Sequence, residues 1–259
     1  MAEQPSLLED AFNLDEKTLA QVEKIKREIS NTCELVGDKD DFCSLEKEYA
    51  HDDNIYQAKI QDLKSKYSKL RRTRGDGNCF FRAFAFAYLE SLLYNSSDLP
   101  RFRDAIVKAR ESLVALGYPT FTLDDFHDTF VATLDQITPT TTVEALIKTF
   151  RDAGTSDYIV CYLRIVTSGY LQTNAEFFQA FVDEGKTIKE YCSEEVEPMY
   201  VECDHLHITA LTSALGVPVR VQYMDRAEGG QVNQHDFPEG APPRIHLLYR
   251  PGHYDILYQ

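Results

Sequence analysis

Residues 75 to 79 of this chain read Gly-Asp-Gly-Asn-Cys and run straight into the apolar stretch Phe-Phe-Arg-Ala-Phe-Ala-Phe-Ala-Tyr-Leu-Glu. A thiol is a useful nucleophile as thiolate, and its ordinary pKa of about 8.5 falls at a helix N-terminus or beside an imidazolium. Cys79 stands at the mouth of a helix predicted over about 78 to 94, where unpaired N–H groups of the first turn favour negative charge. Gly75 and Gly77 permit backbone angles that a Cβ resists, so Gly75, Asp76, Gly77 and Asn78 can turn N–H groups toward one point near the sulfur. Such a point is an oxyanion hole. Read without function, the stretch is a plain turn and Cys79 a small core residue. That reading weakens because the following helix already supplies larger apolar residues, and a cysteine between polar neighbours packs nothing well.

A nucleophilic thiol needs a base. His253, in Arg-Pro-Gly-His-Tyr-Asp-Ile-Leu-Tyr, opens a predicted strand, and Asp255 two residues on shares its face. A carboxylate there accepts from one imidazole nitrogen while the other faces a thiol, the base-and-orienter arrangement of cysteine proteases. A metal is the competing use for cysteine and histidine. Cys192, Cys203, His205 and His207 have suitable ligand types, but their spacing lacks the tight pairs of structural zinc sites, and on a helix His205 and His207 face different ways. No metal and no cofactor is expected, and these histidines read as cap and surface residues. Cys161 reads as buried and inert, while Cys33 and Cys43 have acidic surroundings that disfavour a thiolate.

The rest of the chain must bring position 79 to position 253. At 259 residues with 43% apolar content it can form a large core, and a net charge of -15 argues against a nucleic-acid partner. The first residues lack a secretory pattern, no run reaches the roughly 18 apolar residues of a membrane span, and six scattered cysteines suit free thiols in a reducing compartment. Residues 1–40 read as an acidic extension and 41–259 as one domain. Within the extension Leu19, Val22, Ile25 and Ile29 make a thin amphipathic stripe, which either packs loosely on the domain or waits for a partner's groove. Tyr56, Ile60, Leu63, Tyr67 and Leu70 share one side of a helix over about 53 to 70, with the basic residues Lys64, Lys66, Lys69, Arg71, Arg72 and Arg74 on its exposed face and beyond.

Further helices are predicted from Pro100 to Gly117, from a Thr122 cap toward Pro139, from a Thr142 cap to Gly154, after Asn174, and from an Asp204 cap to Gly216. Tyr158 to Leu171 suits strand or helix, with length favouring helix. Pro218–Met224, Arg244–Arg250 and His253–Tyr258 alternate as strands. Helices first and strands last predict an α+β fold, a helical layer covering one face of a C-terminal, mainly antiparallel sheet.

The string Asp-Gly-Asn-Cys-Phe-Phe-Arg-Ala, followed about 170 residues later by His-Tyr-Asp, resembles the ovarian-tumour (OTU) family of cysteine deubiquitinases. Lys-Glu-Tyr-Ala-His-Asp-Asp-Asn-Ile-Tyr, Thr-Ser-Asp-Tyr, Thr-Ser-Gly-Tyr-Leu, Glu-Val-Glu-Pro-Met, Tyr-Met-Asp-Arg and Tyr-Arg-Pro-Gly-His-Tyr-Asp-Ile-Leu-Tyr narrow this to the otubains, over about residues 45 to 259. The resemblance implies a papain-like OTU fold, Cys79 as nucleophile, His253 as general base and Asp255 as its orienter, with Asp76 acting through its backbone at the oxyanion. It implies hydrolysis of the isopeptide bond between ubiquitin's C-terminal glycine and a lysine, chiefly in polyubiquitin of the lysine-forty-eight type. An acidic protein suits the arginines near ubiquitin's C-terminus. One departure is Gly75, where the family pattern has proline; a looser loop there lowers preorganisation. The resemblance also implies a second role: binding charged ubiquitin-conjugating enzymes and blocking transfer without cleavage, with the Leu19, Val22, Ile25 and Ile29 stripe across the donor ubiquitin. No nucleic-acid or membrane partner is expected, and the expected location is cytoplasmic, with the nucleus as a second compartment.

Overall fold

The 16 residues from Cys79 to Tyr94 form a helix with apolar side chains on every side, a pattern tolerated only where protein surrounds the helix. The computed structural model describes residues 33–259 and puts this helix at the centre. Phe80, Phe81, Phe84, Phe86, Tyr88 and Leu89 are all buried around it. The stripe of Leu19, Val22, Ile25 and Ile29 lies outside the described residues.

In chain order the elements are strand β1 (Val36–Asp40), helices α1 (Phe42–Glu46) and α2 (Asn54–Lys66), strand β2 (Lys69–Thr73), then helices α3 (Cys79–Tyr94), α4 (Leu99–Ala115), α5 (Thr120–Asp135), α6 (Val143–Arg151) and α7 (Ala153–Thr173). The short α8 (Ala175–Phe178) and α9 (Ile188–Tyr191), helix α10 (His205–Leu215), and strands β3 (Val219–Tyr223), β4 (Asn233–Phe237), β5 (Ile245–Arg250) and β6 (His253–Tyr258) follow. The α+β expectation therefore holds, and among the described residues no helix is long and apolar enough to cross a membrane.

The six strands are ordered β1-β2-β6-β5-β3-β4. Neighbours are antiparallel except β3 and β5, which run parallel with Val221 opposite Leu247. Three strands go beyond the sequence expectation, for one reason. β1 and β4 are edge strands, mostly exposed and polar, and edges carry charge rather than an alternating apolar face. β2 was hidden in the basic run after α2. That helix stops at Lys66, and Leu70, Arg71 and Arg72 are strand residues rather than the helix's exposed face. Because β1 precedes residue 41, the sheet takes in the end of the expected extension.

The expectation of one covered sheet face is also corrected. Val221, Leu247 and Ile256 pack toward α3, while Leu70, Met224, Leu248 and Leu257 pack with Phe42, Leu45, Ile60 and Leu63 of α1 and α2. Adjacent leucines at 247 and 248 are each fully buried, as they must be when both faces of a strand are roofed. Since side chains alternate along a strand, His253 and Asp255 share the Leu257 face, under the α1–α2 layer.

Helix starts follow local chemistry. The Thr142 side chain accepts from the Ala145 N–H at the start of α6, and Asp204 accepts from the Leu206 and His207 N–H groups at the start of α10, which Gly216 closes at φ +61. Two expected boundaries move. Thr122 lies inside α5, which begins directly after Pro119, and Gly154 lies inside α7, because Asp152 accepts from the Thr155 N–H at 2.8 Å and starts that helix earlier. The ambiguous Tyr158–Leu171 stretch is the buried body of α7. Asn174 turns its amide back to the Tyr170 carbonyl at 2.8 Å instead of capping forward, and α8 lasts four residues.

Candidate active site

The two distant stretches meet. Cys79 is the first residue of α3 and is buried, 4% exposed. Its partner is the first residue of β6, where His253 Nε2–H donates to Asp255 Oδ1 at 2.8 Å. Nδ1 of the same ring is buried and makes no hydrogen bond, and the Cys79 sulfur is near enough to favour charge on the ring. Burial opposes charge on this imidazole, but Asp255 and the Cys79 sulfur outweigh it, and the His253 pKa is pushed up to about 9. At neutral pH the ring is therefore a cation beside a sulfur at a helix N-terminus, the setting in which a thiolate is held.

Asp255 is wholly buried and fully satisfied. Besides His253 it accepts from the Thr73 N–H at 3.1 Å, Arg72 Nη1 at 3.1 Å and Arg250 Nη2 at 2.7 Å. Glu48, in the connection between α1 and α2, bridges the two arginines, reaching Arg250 Nη1 at 2.6 Å and Arg72 Nη2. Burial favours the neutral acid, yet His253, Arg250 and Arg72 hold the Asp255 carboxyl well below the usual carboxylate range. The outer α1–α2 layer thus buttresses the charge held against His253. The basic run in the sequence contained the signal for Arg72, but only pairing of β2 with β6 reveals its target.

The loop before Cys79 is shaped differently at its two glycines. Gly77 has φ +77, and a Cβ there would lie 2.3 Å from the Tyr200 carbonyl oxygen, so glycine is required on both counts. At Gly75 the issue is space: a Cβ would lie 3.3 Å from His253 Nδ1. In this conformation the Asp76 N–H donates to the Arg74 carbonyl at 3.0 Å. Its side chain is also engaged. The carboxylate accepts from the Asn78 N–H at 2.9 Å and forms a two-pronged ion pair with buried Arg82 at 2.9 and 3.0 Å. Among the described residues no acceptor takes the N–H of Gly77 or Cys79.

Helix α7, which carries the Thr-Ser-Asp-Tyr string at 155–158, braces this loop twice. Ser156 and Asp157 hold Arg82 at 3.1 and 3.0 Å. Two turns on, the wholly buried Arg164 donates from Nη2 to the Gly77 carbonyl at 2.8 Å and from Nη2 and Nε to Asn78 Oδ1 at 3.0 and 3.3 Å. Asn78 Oδ1 also accepts from the Tyr200 N–H at 3.0 Å, so Asn78 serves as a strut rather than a helix cap.

The remaining thiols and histidines have other employment. All six cysteines are free. Burial pushes the Cys161 and Cys192 thiols each up to about 11 and holds Cys203 well above the ordinary thiol range. Cys161 is half-buried rather than fully enclosed. His207 is buried, not a surface residue: Nδ1 joins the Asp204 capping box and Nε2 meets the Glu195 carbonyl at 3.1 Å. His205 packs edge-on against Phe237, ring centroids 4.6 Å apart.

A sulfur lodged between a helix mouth and an imidazolium, roofed by a papain-like α+β fold, defines the class of cysteine peptidases. Within that class the chain belongs to the otubain family, Peptidase C65, whose family model matches residues 28–259. It is 53% identical over 245 residues to the ubiquitin thioesterase OTUB1 of Homo sapiens, covering 95% of this chain and 90% of that protein. It is 39% identical over 224 residues to the ubiquitin thioesterase OTUB2 of Homo sapiens, covering 86% and 95%. Among solved structures, h/ceOTUB1 with ubiquitin aldehyde and UBCH5B~Ub superposes with a TM-score of 0.89 at 37% identity, covering 95% of this chain and 98% of that one. A ceOTUB1 complex with ubiquitin aldehyde and UBC13~Ub gives 0.86 at 37% identity, covering 92% and 98%.

Proposed function

We propose that this protein is a thiol-dependent ubiquitin hydrolase that cleaves isopeptide bonds in polyubiquitin of the lysine-forty-eight type. Cys79 attacks the carbonyl of ubiquitin's C-terminal glycine, and the negative oxygen that forms is met by the Gly77 and Cys79 N–H groups. His253 passes its Nδ1 proton to the departing lysine amine, leaving a thioester on Cys79. The ring then takes a proton from water, which releases ubiquitin's carboxylate and restores the thiolate. The observation that carries this reading is the division of labour on one ring: Nε2 is tied to a fully ionised, buried Asp255 while Nδ1 makes no hydrogen bond and the sulfur is near. The substrate class follows from the OTUB1 and OTUB2 relatives, and the linkage type from the otubain resemblance.

Incubating the full chain with di-ubiquitins of each linkage tests both parts. The lysine-forty-eight type should be cut at least about ten-fold faster than the others, a difference of about 1.4 kcal/mol in activation free energy. Equal rates would reject the linkage, and no cleavage at all would reject the hydrolase.

A second, compatible reading is favoured by the complexes of the solved relatives, which contain UBCH5B~Ub or UBC13~Ub beside ubiquitin aldehyde. In it the chain binds a charged ubiquitin-conjugating enzyme and blocks transfer, with Leu19, Val22, Ile25 and Ile29 laid on the donor ubiquitin. Deleting residues 14–30 should weaken inhibition of ubiquitin discharge by about ten-fold or more, the loss of a few buried aliphatic contacts. Di-ubiquitin cleavage should survive the deletion. An unchanged inhibition curve would count against this role.

A further inference from the structure

Arg164 is wholly buried, yet among the described residues it forms no ion pair with a carboxylate. Its guanidinium instead donates to the carbonyls of Gly77 at 2.8 Å, Val196 at 3.0 Å and Val201 at 2.6 Å, and to Asn78 Oδ1, with its plane over the Phe81 ring at 4.6 Å. Burying a cation without a counter-ion is costly, so a site that keeps one invites the question of what it holds still.

The answer lies in the peptide unit between Gly77 and Asn78. It stands between the two units that carry the Gly77 and Cys79 N–H groups. Its own N–H donates to Asp76 Oδ1 and its carbonyl accepts from Arg164 Nη2, so both ends are pinned. Glycine resists rotation of such a unit hardly at all. Half a turn would set the Gly77 carbonyl oxygen against the Asp76 carboxylate that the N–H now meets and take it away from Arg164, so the two pins together select one orientation of the loop.

We infer that Arg164 is a positioning residue of the reaction, a buried fork on α7 that locks the Gly77–Asn78 peptide so that the loop presents donors to the oxyanion. The inference rests on the reading of Cys79 as nucleophile. The same fork ties the loop to residues 196–201, including Tyr200, whose backbone has φ +69. One guanidinium therefore couples both walls of the site to one helix.

Arg164→Lys keeps the cation but not the fork. On ubiquitin carrying a C-terminal fluorogenic amide, kcat should fall about 100-fold, the size of losing an oxyanion donor. KM should stay within about three-fold, the signature of an interaction made only in the transition state. Alkylation of Cys79 by iodoacetamide, which needs the thiolate but no oxyanion hole, should match wild type within about two-fold. A folded variant with wild-type kcat would overturn the inference, as would kcat and alkylation falling together, which would mean a displaced sulfur. If Arg164→Lys fails to fold, Asn78→Leu, which leaves Arg164 in place but removes the acceptor it shares with Tyr200, should show the same split. Failure of both to fold would make Arg164 a purely structural residue and end the proposal. Wild-type protein in the same assay separates the two readings: if it does not turn over the amide, the Cys79 assignment fails, whatever Arg164 does.

Discussion

Ubiquitin bearing a C-terminal electrophile should modify Cys79 and no other residue, and Cys79→Ala should abolish both the adduct and turnover, a loss of about 10⁵–10⁶ in kcat. The selectivity has a physical basis in the other five thiols. Cys161, Cys192 and Cys203 are pushed toward the neutral form by burial, and Cys33 and Cys43 are exposed, away from any helix of useful length. Only Cys79 combines the start of a 16-residue helix with a charged imidazole. Because Cys79→Ala removes one sulfur from a small site and leaves His253 on Asp255, the variant should melt close to wild type. Mass spectrometry of the adduct checks the assignment, and labelling that persists after the substitution would refute it.

Asp255→Asn should lower kcat/KM by about 10³–10⁴, the cost of an imidazole held without its carboxylate. It should also move the pH profile. With Asp255 present the charged ring persists until pH rises through about 9, so the alkaline limb of activity should centre there. Without it the limb should retreat toward the ordinary histidine value of about 6.5. Stability follows the same sign. A raised His253 pKa contributes stability that is complete below the unfolded value and disappears as pH rises through about 9. The depressed Asp255 pKa contributes stability above the ordinary carboxyl range and loses it as pH falls through the depressed value. The variant also leaves Arg72 and Arg250 facing a neutral amide, with Glu48 as their remaining acid, and about 3 kcal/mol of folding stability should go with the buried charge. An alkaline limb that stays at the wild-type position, measured by stopped-time kinetics from about pH 4.5 to about 11, some two units beyond the two values, would show that Asp255 does not set the base.

Much of this protein was legible as a string because its signals are local. Cys79 announced itself through Gly77 and the helix behind it, and His253 and Asp255 through a spacing of two on an alternating strand. Thr142 and Asp204 bond the N–H groups two or three residues ahead, which sequence separation alone dictates. The errors occurred where the deciding contact was distant. Thr122 is the local exception, taken inside a helix that begins directly after Pro119. The edge strands β1 and β4 carry too little apolar alternation to show before they pair.

The sequence by itself picked out Cys79, His253 and Asp255, most of the helices and strands β3, β5 and β6, because each depends on neighbours within about four residues along the chain. Tertiary structure alone decided what surrounds them. Arg72, Arg250 and Glu48 converge on Asp255 through strand pairing, and Arg82 and Arg164 pin the loop through a helix about 80 residues downstream. An arginine's reach is the same in any sequence. Which carbonyl or carboxylate lies within it is settled only when strands pair and helices pack, and at this site that choice, among the described residues, leaves the Gly77 and Cys79 N–H groups without an acceptor.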